Sequence, residues 1–123
     1  MATVSCCKPG EIVQGMNYNA LRGVRVMFVN MPLRETATPN TPPQGPGLMA
    51  ARLRQYEAEP TIVDLNAYRI RDALAQARGL PNGRHLTYGE AALLIQRHLN
   101  KHGEPQIIAF SGMITTLRWQ EAM

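Results

Sequence analysis

The sequence predicts a small α/β protein of the three-layer, Rossmann-like class, with a parallel sheet at its centre. Three short β-rich runs, near residues 24–29, 60–65 and 106–110, alternate with segments of helical periodicity. The first run, Val24 to Val29, is apolar almost throughout, as a parallel strand covered on both faces requires. The third run empties into Ser111-Gly112-Met113-Ile114-Thr115, the pattern of a buried strand leading into a helix start. Open parallel sheets bind their ligands outside the carboxyl ends of the strands, so that junction is the first place to look for a site.

Residues 1–23 read as an N-terminal extension, because Pro9, Gly10 and Gly15 interrupt any period and only Glu11 to Met16 resembles a strand. Residues 24–123 form one domain. Asn30-Met31-Pro32 ends the first strand, and Leu33 to Gly47, rich in Pro, Thr, Asn and Gly, is expected to be a long loop. Leu48 to Tyr56 follows as a helix, with Arg52 and Arg54 turned outward. After the second strand, Asn66 is placed to cap a helix from Ala67 to about Arg78, whose Ile70, Ala73, Leu74 and Ala77 share a face. Gly79 to Gly83 breaks the chain. Thr87-x-x-Glu90 is a capping box that opens a helix to about His102, closed by Gly103 and followed by Pro105. The third strand and a short helix from Thr115 complete the order β, α, β, α, α, β, α.

Composition narrows the function. The formal charge is +4 and the pI near 9.5, yet Lys and Arg are scattered among acidic residues and only 6% of residues are aromatic. A clustered basic face with stacking aromatics is absent, so no nucleic-acid partner is expected. Cys6 and Cys7 are adjacent, which suits neither a disulfide between them nor a zinc site, and free thiols in a cytoplasmic protein are expected. No apolar run approaches the ~20 residues that span a bilayer, so no membrane partner is expected.

Several residues carry two readings. Ser111 and Thr115 can line a cofactor cleft or cap the following helix. His98 and His102 share a helix face at the spacing of zinc ligands, but no acidic partner accompanies them, and packing or solvated roles are expected for these and for His85. Asp64 suits a ribose hydroxyl or, more simply, turn and cap duty. Met27, Met31, Met49 and Met113 read as core, although Met31 and Met113 sit where a flat apolar ligand would rest. No Gly-x-Gly-x-x-Gly fingerprint, phosphate loop, nucleophile elbow or Ser-His-Asp set is visible, so no independent enzyme activity, catalytic residue or metal site is expected.

Taken together, Val24 to Pro32, the Pro-rich loop, Gly45 to Arg54 and Thr61 to Asn66 resemble the N-terminal cobalamin-binding domain of radical S-adenosylmethionine enzymes. The resemblance covers residues 24–123, and Ser111 to Thr115 is similar to the strand-to-loop motif of the wider cobalamin-binding family. It implies a flavodoxin-like sheet of order 2-1-3-4-5, truncated here after the third strand. It also implies a cofactor site at Asn30, Met31, Pro32, Ser111, Gly112 and Thr115, for cobalamin or another small ligand. Relatives that ligate cobalt with a histidine carry Asp-x-His-x-x-Gly after the first strand; Asn30-Met31-Pro32 has none, so cobalamin without histidine ligation is implied. The cysteine triplet of the radical domain is missing. Glu57 stands where the family usually has Gly to close a helix in the left-handed conformation, at a cost of about 1 kcal/mol. With its third strand at a sheet edge, the chain is expected to form a homodimer through that edge, unless Glu11 to Met16 folds back beside it. A self-associating interaction protein without a ligand is the alternative to a ligand-binding module.

Overall fold

A computed structural model describes residues 18–32, 43–112 and 117–123 of the chain. Three strands, β1 (Arg25–Asn30), β2 (Glu59–Asp64) and β3 (Ile107–Ser111), form a parallel sheet of order β2-β1-β3. Four helices accompany them: α1 (Gln44–Arg54), α2 (Ala73–Ala77), α3 (Tyr88–His102) and α4 (Leu117–Ala122). The order of elements and the small parallel α/β sheet agree with the sequence reading.

The alternation of β1 builds two cores. Met27 and Val29 point to the α3 face, where they meet Met31, Val63, Leu65, Leu86 and Ala91. Val26 and Phe28 point the other way, onto Ala50 and Leu53 of α1. The chain moves outward from β1 to β2, then back past β1 to β3. With right-handed crossovers, those opposite directions place α1 and α3 on opposite faces.

Helix α1 begins at Gln44, not at Leu48, so the expected loop is shorter at its carboxyl end; residues 33–42 lie outside the described residues. The reason is that first-turn N–H groups have no partner within a helix, so Pro46 loses nothing there. Gly47 already donates to the Pro43 carbonyl at 2.9 Å. Met49, expected in the core, is exposed on this helix.

The expected helix from Ala67 is replaced by three smaller pieces. Asp64 accepts the Asn66 N–H at 3.1 Å and closes a 3-10 turn, Leu65–Ala67, so Asn66 does not cap. Ile70 and Arg84 then exchange backbone hydrogen bonds at 2.9 Å, and α2 starts only where Asp72 accepts the Ala75 N–H at 3.0 Å. Short carboxylates compete with the helix for backbone donors, and twice they win here.

Arg84 ties this insertion to α3. Its side chain is only 10% exposed and pairs with both Asp72, through Nε at 2.7 Å, and Glu90, through two bonds of 2.9 and 3.0 Å. Glu90 also completes the expected capping box, accepting the Thr87 N–H at 2.8 Å while its own N–H meets Thr87 Oγ1. The Arg84 bonds, then the Thr87 amide, hold the Glu90 carboxyl down to about 2. Asp72 is lowered in the same sense, first by Arg84 and then by the Ala75 amide.

The two sheet edges differ. Glu59 donates to Val24 on the β1 side, so the next residue, Pro60, turns its donor-less nitrogen to the outer edge of β2. Among the described residues none comparable blunts β3, where Ile107, Ile108 and Phe110 are 47, 51 and 44% exposed. Ala109 packs on the α1 face and Met123 on the α3 face. Glu11 to Met16 lie outside the described residues, whereas Gly23, within the segment read as an extension, donates to Glu57.

Two outcomes follow from these local structures. Glu57 has φ of 60°, closing α1 with bonds from Glu57 to Arg54 and from Ala58 to Leu53, the Schellman pattern. Glu57→Gly should therefore stabilise the protein by up to about 1 kcal/mol, less the small contribution of the exposed Arg22–Glu57 pair. A lower urea midpoint for Glu57→Gly than for Arg22→Ala would contradict it. For Glu90, a depressed carboxyl contributes stability that is complete above its ordinary value of 4.5 and is lost as pH falls through about 2. Glu90→Gln keeps a residue suited to the capping box but removes the charge, so its stability should vary less across that acid range. Equal slopes in pH-dependent urea unfolding would refute the linkage.

Candidate functional site

The carboxyl ends of β1 and β3 mark the point where the strand order reverses. Asn30 stands there between Asp64 and Ser111 in register. Its Nδ2 donates to Asp64 Oδ1 at 2.7 Å, and the same carboxylate oxygen accepts the Asn66 amide. Asp64 thus performs the turn duty expected of it while holding the Asn30 side chain. On the other side, Met31 donates its N–H to the Ser111 carbonyl at 2.9 Å, carrying the ladder one residue past the strand. Ser111 is half-buried and Gly112 exposed, so this rim combines a hydroxyl, an amide and a residue without a side chain.

Not every expected site residue faces the rim. Met31 is fully buried with Val29 and Leu65, and Pro32 is buried beside it. The Met31 side chain therefore belongs to the core beneath the crevice, the first of its two readings, and not to a surface on which a flat ligand would rest. Its direction follows from strand alternation, since residues 27, 29 and 31 share a face. Thr115 and Met113 lie outside the described residues.

The histidines serve separate ends of the molecule. His85 Nδ1 lies 2.8 Å from an amine of Arg69, which also donates to the Asn66 and Tyr68 carbonyls. His98 Nε2 meets Thr61 Oγ1 of β2 at 2.8 Å, and its ring lies tilted by 38° against that of His102, with centroids 4.4 Å apart. Burial, then the charges of His102 and Lys101, push His98 below the ordinary histidine range. Among the described residues, no group of three His, Cys, Asp or Glu side chains is placed to hold a metal. No helix among them is long and apolar enough to cross a membrane.

A cavity of about 330 Å³ opens at the opposite, amino end of the sheet. It lies between the starts of β1 and β2 and the last turns of α1 and α3, and it takes in Arg25, Arg54, Glu59, Thr61, His98 and His102. A shallower groove of about 490 Å³ follows the outer edge of β2 beneath Arg97 and Lys101. The sequence reading anticipated neither the amino-end cavity nor the Arg84 cluster. The capping box announced Glu90 as an anion at a helix start, but its pairing with Arg84 depends on the backbone bridge to Ile70, for which there is no sequence signature.

No family model, curated protein or solved structure matches the chain. Functional inference therefore rests on the site geometry and on the motif resemblance.

Proposed function

We propose that this protein is a non-catalytic module that binds a small ligand in the crevice between the carboxyl ends of β1 and β3. The observation that carries this reading is the pairing of Asn30 with Ser111 at the switch point of a parallel sheet, where ligands of such folds are held. The Asn30–Asp64 bond fixes one polar group of the rim before any ligand arrives, which lowers the ordering cost of binding. Buried Met31 and Pro32 supply a firm apolar base beneath it. Cobalamin is the ligand the motif resemblance suggests, held without a histidine on cobalt. Aquocobalamin should give a saturable absorbance change that Ser111→Trp removes without unfolding the protein. A variant with His85, His98 and His102 all changed to Gln should keep the bound spectrum. The absence of a saturable change up to about 1 mM would exclude a cobalamin site of useful affinity.

A second reading, self-association, is favoured by a separate observation. Residues 105–112 contain no charged side chain, and β3 leaves Ile107, Ile108 and Phe110 about half exposed along an edge that no described residue blunts. Two copies meeting about a two-fold axis would pair β3 with its counterpart antiparallel, joining the sheets without bringing like charges together. Light scattering across a dilution series should report a dimer, and Ile108→Lys should dissociate it. A monomer mass for the unaltered protein at about 10 μM would exclude a dimer of biological strength.

A further inference from the structure

We propose that the amino-end cavity is a second binding site, specific for a small organic anion whose carboxylate or phosphate group is attached to an apolar body. The proposal is independent of the crevice at the carboxyl ends, since no residue is shared between the two.

The size of the cavity, about 330 Å³, lies at the lower end of the range for small-molecule sites. Its base is apolar: Val26, Ala58 and Pro60 are all buried. Its rim is polar and unequal in charge, with the guanidinium groups of Arg25 and Arg54 against the single carboxylate of Glu59. The side chains of Arg54, Glu59 and His102 form no hydrogen bond or ion pair within the described residues, so their polar ends are available.

An objection comes from the helices. Both α1 and α3 end at this cavity, and a helix carboxyl end carries partial negative charge through its unpaired carbonyls. At α1 the carbonyls of Arg52, Leu53 and Arg54 are taken, and at α3 that of Leu99 is. Gly103 donates to Leu99 at 2.7 Å, while Ala58 and Glu57 donate to Leu53 and Arg54. Arg25 Nε donates to the Glu104 carbonyl at 2.7 Å, just beyond the end of α3. Against the carbonyls that remain at the end of α3 stand the donors of Arg54, the terminal amines of Arg25 and the His102 ring, two of them guanidinium groups that carry full charge. Thr61 and His98 bond each other at 2.8 Å and define the inner wall.

Phenyl phosphate is a suitable probe, with inorganic phosphate as the charge-only arm and phenol as the ring-only arm. Titration followed by amide chemical shifts should show saturable binding of phenyl phosphate confined to the neighbourhood of Ala58, Thr61, His98 and Gly103, tighter than either control. Arg54→Glu should weaken it about tenfold or more. Arg97→Glu, which alters the neighbouring groove but not the cavity, should leave it unchanged. Equal binding of inorganic phosphate would overturn the requirement for an apolar body. Equal losses in Arg54→Glu and Arg97→Glu, or no saturable shift at all, would overturn the site.

Discussion

Strand β1 must be covered on four sides, and the rest of the fold is the answer to that requirement. Its residues from Val26 to Val29 are at most 5% exposed, so α1 and α3 occupy the faces while β2 and β3 occupy the edges. No other arrangement of three parallel strands buries such a continuous apolar run. The same constraint sets the register at the carboxyl end, where Asn30 becomes the first polar residue to emerge and is met by Asp64 and Ser111. Core packing and site geometry are therefore two ends of one strand.

Polar interactions organise what apolar burial leaves undetermined. The insertion between β2 and α3 has little core of its own: Ala75 and Leu86 are its buried apolar side chains beyond Leu65. Arg84 supplies the missing cohesion by joining the cap of α2 to the first turn of α3. Its two carboxylate partners are each about a third exposed, so the cluster avoids the full desolvation that makes buried ion pairs costly. At the other end of α3, His98 performs a related task by fastening the helix to Thr61.

Most of the architecture was legible because it depends on short-range pattern. The apolar run of β1, the Thr87–Glu90 box and the Gly103 stop each specify an element through residues a few positions apart. Glu57 was legible through the resemblance, which marked a position that demands the left-handed conformation. The boundaries of α1 and α2 were harder to read, because Pro46 is harmless in a first turn and Asp72 prefers to cap a helix rather than continue one. At the candidate site, Asn30, Ser111 and Gly112 lie at the carboxyl ends of β1 and β3, while Met31 turns inward because its parity matches Val29. The amino-end cavity assembles residues from four elements, and no local pattern encodes that meeting.

The two flanking strands are not held equally. Arg25 and its partner Glu59 are separated by 34 positions, whereas Val26 and Ile107 are separated by 81. Closing the longer loop costs about 0.8 kcal/mol more chain entropy on ideal-chain scaling. Yet β3 recovers less from water, since three of its five residues keep nearly half their surface exposed. Anything that settled on that edge would contribute to keeping the third strand in the sheet.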